Sequence, residues 1–187
     1  MIADIKNIKN LAADLEKQEL DALGGTASAQ VYAQLLAAYL YQNDLCNAKY
    51  LWKRIPQNIK TSHAELATIW KVGQKMWQRD FPGMYAALRV DWSENVAQIM
   101  QALLVSVQER AASLVSHAYS SIGVDSLGAM LGLPAEEAAR VAVEKGWQVD
   151  RASRTVMPAR PPPPADDAMC NEDQLYKLTD FVSFLEN

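Results

Sequence analysis

The residues of this 187-residue chain best suited to metal or nucleophilic chemistry are His63, His117, Cys46 and Cys170. Their spacing supports neither. The histidines stand 54 residues apart, and the sequence holds no HxH, HExxH or CxxC string, so the three or four N and S ligands of a zinc shell are not expected to gather. No GxxxxGK[ST] or GxGxxG string sets backbone N–H groups around a phosphate, and no GxSxG elbow presents a serine nucleophile. The expectation is no catalytic residue, no bound metal and no cofactor. The two distant cysteines are expected to be reduced thiols. His117 is expected to be a half-buried, satisfied ring on an apolar helix.

A second chemistry, phosphate binding, needs Lys and Arg on an element that enters a groove. Arg140, Lys145, Arg151 and Arg154 are the candidates, and their setting can be read. Asp125 is placed to cap a short helix, Ser126 to Leu131, and Gly132-Leu133-Pro134 is a turn. Pro134 opens a second helix, Ala135 to Lys145, with Glu136 and Glu137 in its first turn, and Gly146 ends it. Trp147–Asp150 and Thr155–Met157 alternate as two short strands joined by the polar run 151–154. Helix, turn, helix, hairpin is the plan of a winged helix. Its second helix carries Arg140 and Lys145 against Glu136, Glu137 and Glu144, a net −1. That charge is wrong for a polyanion, so a nucleic-acid partner is not expected and the module reads as a docking unit.

Half the residues are apolar and the net charge is −4, which suits a packed core and singles out no polyanion. Met1–Asn10 already carries Asp4, Lys6 and Lys9, and no run of 18 apolar residues occurs, so neither a signal peptide nor a membrane partner is expected. The charge is uneven. Residues 46–79 hold seven basic side chains and one acidic, whereas residues 161–187 hold one and six. The basic block (Lys49, Lys53, Arg54, Lys60, Lys71, Lys75, Arg79) reads as solvated helix faces unless the fold brings it together.

The elements ahead of the winged helix are all helical. Ile2, Ile5, Ile8, Leu11 and Leu15 form one stripe of a first helix, broken at Gly24-Gly25-Thr26. Ser28, Ser62 and Ser93 are expected caps of later helices, and Pro56 stops another. Tyr41-Gln42-Asn43-Asp44-Leu45 and Trp77-Gln78-Arg79-Asp80-Phe81 recur 36 residues apart. An aromatic closes one helix, a polar turn with Asp follows, and an apolar residue opens the next, as in stacked helical hairpins of the tetratricopeptide type. Trp52, Trp70, Trp77 and Trp92 read as packing. After Pro158 and Pro161–Pro164 comes a last helix whose Leu175, Leu178, Phe181, Val182 and Leu185 make an apolar stripe on an acidic segment. So short a helix is marginal in water unless that stripe is covered. The expected class is mainly α: helical repeats over 1–120, a winged helix over 121–157, a proline-rich linker over 158–171 and a separate helix over 172–187.

Tyr50-Leu51-Trp52-Lys53-Arg54-Ile55-Pro56, Ile69-Trp70-Lys71-Val72-Gly73-Gln74, Trp77-Gln78-Arg79-Asp80-Phe81-Pro82-Gly83, Leu131-Gly132-Leu133-Pro134 and the closing Leu178-Thr179-Asp180-Phe181-Val182 together resemble the family of the small eighth subunit of the COP-nine signalosome, over nearly the whole chain. The resemblance implies a PCI domain and a place in a hetero-oligomeric complex, cytoplasmic and nuclear, that removes the ubiquitin-like modifier Nedd from cullins. It implies that the isopeptidase zinc site sits on another subunit. It also implies that Thr155, Val156 and Met157 offer a strand edge to neighbouring subunits and that Leu175, Leu178, Phe181, Val182 and Leu185 enter a helical bundle. The small PCI subunits of the proteasome lid and of a translation initiation factor share this architecture, and a nucleic-acid-binding winged helix is the alternative of another class.

Overall fold

The computed structural model describes residues 2–22, 25–160 and 171–185. Within them the order is α1 (Ile2–Leu20), α2 (Ala29–Tyr41), α3 (Leu45–Arg54), α4 (Gln57–Ser62), α5 (Ala64–Gln78), α6 (Phe81–Leu88), α7 (Glu94–Ala118), β1 (Ile122–Gly123), α8 (Val124–Leu131), α9 (Ala135–Glu144), β2 (Gln148–Asp150), β3 (Thr155–Met157) and α10 (Asn171–Leu185). The chain is mainly α, with stacked helical hairpins leading into a winged-helix plan, as the sequence implies. The side chains of Ile2 and Ile5, Gly24, and the proline run 161–164 lie outside the described residues.

The 36-residue repeat is a repeat of backbone geometry. Asn43 and Arg79 take the left-handed conformation, φ 61° and 56°. The next N–H reaches back five residues, Asp44 to the Tyr39 carbonyl at 2.9 Å and Asp80 to that of Lys75 at 3.1 Å, which closes the preceding helix as a Schellman motif. Each aspartate then caps the following helix, accepting from the N–H of Asn47 or Gly83, both at 3.0 Å. One residue thus ends a helix and starts the next, so α2–α3 and α5–α6 turn as tight hairpins. Asp80 also accepts from Lys75 Nζ at 2.7 Å, and this bond, then the Gly83 N–H, holds its carboxyl below the usual value of 3.8. A carboxyl more acidic when folded favours folding above its unfolded pKa and loses that contribution as protons bind. Asp80→Asn is therefore expected to narrow the acid loss of stability below about pH 4, measured by urea melts at stepped pH.

Two clusters of buried side chains fill the molecule. The first runs from Leu15 to Val107 and centres on α2, whose Leu35, Leu36 and Leu40 are fully buried. The second, from Ala111 to Val156, lies between α8, α9, the sheet and the C-terminal part of α7. Helix α7 runs unbroken for 25 residues and serves both. Arg54 grips Glu19 of α1 with Nε and Nη2 at 2.7 and 2.6 Å, and burial together with a hydrogen bond to Glu16 pushes the Tyr39 hydroxyl far above its ordinary pKa.

Several expectations change. Ser62 caps nothing downstream: it is the last residue of α4, a helix the sequence reading missed, and His63 stands at the start of α5. Ser93 stands at the N-cap of α7, as expected, but makes no side-chain cap bond: its Oγ and N–H donate to Glu65, at 2.9 and 2.8 Å. Asp125 lies inside the first turn of α8 rather than before it, because Ile122-Gly123 forms a strand and Gly123 becomes the boundary. Asp125 pairs instead with Arg154, at 3.0 Å. Trp52 and Trp70 stack, 5.7 Å between centroids and 11° apart, but Trp77 is 55% exposed because it lies at the open end of α5. His117 is exposed, its Nδ1 2.7 Å from the Ser113 carbonyl.

Candidate assembly surfaces

Helix α10 has the least accounted-for surface of the molecule. Leu175, Leu178, Phe181, Val182 and Leu185 are 52–75% exposed. At 100° per residue these five fall within an arc of about 120°, which is the width of a face made to be covered. Tyr176 and Phe184, at 70% and 77% exposed, were overlooked in the stripe. They lie outside its arc and are separated from each other by two turns. The signal was present as an aromatic eight residues from another, but a search for one stripe passes over it.

The winged-helix sheet is ordered β1-β3-β2, all antiparallel. Thr155, Val156 and Met157 therefore form the middle strand, with Ile122 and Val149 both facing Val156. That corrects the expected edge role: both sides of β3 are taken, and the outer side of β2, Gln148–Asp150, is an open edge. Val156 is fully buried, whereas Met157 is 42% exposed. The missed signal was Ile122-Gly123, too short to read as a strand from alternation.

The basic block converges in part. Lys49 sits over the Trp77 ring at 5.1 Å and Lys60 over the Trp52 ring at 4.9 Å, while Arg54 and Lys75 are spent on Glu19 and Asp80. Beside Trp77 a cleft of about 520 Å³ opens between the α2–α3 turn, the α5–α6 turn and α7, walled by Met76, Phe81, Met84 and Leu114. Arg110 enters it from α7. Its Nε donates to the Ser106 carbonyl at 3.2 Å, and its Nη2 is buried without a hydrogen-bond partner among the described residues. Burial lowers the guanidinium pKa, against the influence of the Tyr41 and Tyr85 hydroxyls. Burial likewise pushes the Tyr85 hydroxyl up to about 12.

Among the described residues no three His, Cys, Asp or Glu side chains gather as a metal site, and no helix is long and apolar enough to cross a membrane. Cys46 is exposed, and Cys170 lies outside the described residues. Residues 26–166 match the model of the CSN8/PSMD8/EIF3K family. The chain belongs to this family. Relatives of this family member named COP9 signalosome complex subunit 8 include those of Xenopus laevis, 54% identical over 97% of this chain and 93% of the relative, and Danio rerio, 51% over 96% and 94%. That of Arabidopsis thaliana is 34% identical over 83% and 79%.

Proposed function

We propose that this chain is a non-catalytic scaffold subunit of the COP9 signalosome, and through that complex supports removal of Nedd from cullins and so regulates cullin–RING ubiquitin ligases. The observation that carries this is the 54% identity to a protein of that name over 97% of the chain. The architecture agrees: a helical array, a small sheet with an open edge, and a helix with its apolar residues in water. In this reading the chain divides into the helical array 1–120, the winged helix 121–157, the linker 158–171 and the assembly helix 172–187, and it works in cytoplasm and nucleus. Leu175, Leu178, Phe181, Val182 and Leu185 enter a helical bundle with sister subunits. The sheet meets a neighbour through the β2 edge and Met157.

Tagged full-length chain captured from an extract of its own cells is expected to bring down the other signalosome subunits in near-equal amounts, as identified by mass. Recovery of proteasome-lid or initiation-factor subunits, or of the chain alone, would overturn the proposal.

A further inference from the structure

Helix α10 carries apolar side chains on two sides. The Leu175–Leu185 stripe is one. On the other, Tyr176, Asp180 and Phe184 follow at four-residue steps, a ridge of aromatic, carboxylate, aromatic centred roughly 160° from the stripe. A helix apolar on opposite sides needs two partners. The bundle would cover the stripe and leave the ridge in water.

The cleft beside Trp77 holds complementary groups. Phe81, Met76 and Met84 line it together with Lys75, Arg79, Asp80 and Arg110, whose Nη2 is buried without a hydrogen-bond partner among the described residues. Arg110 is half-buried, none of the ion pairs among the described residues includes it, and a desolvated donor without a partner is costly. The tether is short enough to matter. Pro158 and Arg160 line one pocket with Ala118 and Tyr119 at the end of α7, and Ala118 is eight residues, about 12 Å along the helix, from Arg110. Ten residues separate Arg160 from Asn171, and such a length reaches about 36 Å when extended. A ligand on a tether of that reach is presented at millimolar effective concentration, so a weak complementarity suffices.

We propose that the cleft is the seat of the chain's own α10: Asp180 meets the Arg110 guanidinium, Tyr176 and Phe184 enter the apolar walls, and the aliphatic stripe is left facing outward. In the structure Tyr176, Asp180 and Phe184 are exposed, so seating is a second position of the same helix. It deepens the assembly reading by giving α10 an orientation, and it rests on that reading only for the use of the outward stripe.

The test uses the full-length free chain with Leu114→p-benzoylphenylalanine. Leu114 lines the cleft and is 49% exposed, so the fold tolerates the change. Irradiation is expected to link position 114 to residues 171–185 of the same chain, at monomer mass. Asp180→Lys, at a position exposed in the structure, is expected to lower the yield by about tenfold, the scale of a lost charge-assisted bond. Leu178→Asp is expected to leave the yield unchanged. No link into 171–185, links at dimer mass only, or a yield indifferent to Asp180→Lys would each overturn the proposal. Because co-purification with sister subunits is measured separately, the assembly reading can stand while this one fails.

Discussion

A chain carrying Leu178→Asp and Val182→Asp is expected to disappear from the assembled complex while melting as wild type does. Both side chains lie on the α10 stripe, 63% and 52% exposed, so the free protein loses no buried contact. In a bundle each would be covered. Covering a Leu or Val side chain is worth about 1.5–3 kcal/mol, and forcing a carboxylate into its place adds a desolvation cost. The pair therefore costs at least about 4 kcal/mol of association, roughly a thousandfold in equilibrium recovery. Two measurements check it: the amount of variant co-purifying with tagged sister subunits, and the thermal midpoint of the isolated chain. Undiminished recovery would remove α10 from the interface. A midpoint several degrees lower would show that the stripe packs on its own body.

The contrast between α10 and the rest of the chain also explains what was legible beforehand. Several turns were declared by the sequence: Asp44, Asp80, Gly132 and Gly146 shape the backbone within five residues of themselves, and each turn falls where these residue types predict it. The stripes of α2 and α5 were legible because one face of a helix is a fixed spacing. What escaped was set by distant parts of the chain. Ile122-Gly123 is a strand only because Val156 and Thr155 lie beside it, and that pairing makes β3 the middle of the sheet and leaves β1 and β2 at its edges. Ser93 is the N-cap residue of α7, yet its hydroxyl donates to Glu65, 28 residues earlier, and not to the helix. Trp77 was read as core because tryptophans usually are, but no spacing tells that α5 ends at an open cleft. Arg110 carried no signal, since an arginine on a helix is ordinarily solvated and its partial burial follows from the helical turns that share the cleft with α7.

Gly132→Ala is expected to destabilise the protein by several kcal/mol, about 2–4. Gly132 ends α8 at φ 68°, a conformation that costs an L-residue about 1 kcal/mol or more. The larger cost is steric. A Cβ there would overlap the ring of Tyr85, and Tyr85 is fixed: it is 3% exposed and its hydroxyl donates to the Met130 carbonyl at 3.0 Å. The Gly132 carbonyl in turn accepts from Arg89 Nη2 at 2.7 Å. This one turn thus joins α6, in the first core cluster, to α8, in the second. Relief would require Tyr85 to leave its hydrogen bond or α8 to withdraw from α6, and overpacking of that kind costs about 1–3 kcal/mol. The sum, about 2–4 kcal/mol, corresponds to a fall in midpoint of roughly 5–15 °C for a chain of this size. Tyr85→Leu combined with Gly132→Ala separates the two causes. It removes the ring, so it should recover the steric part of the loss and leave the backbone part together with the lost hydroxyl bond. If Gly132→Ala alone melts within a degree of wild type, the α6–α8 contact is not what holds the winged helix to the array.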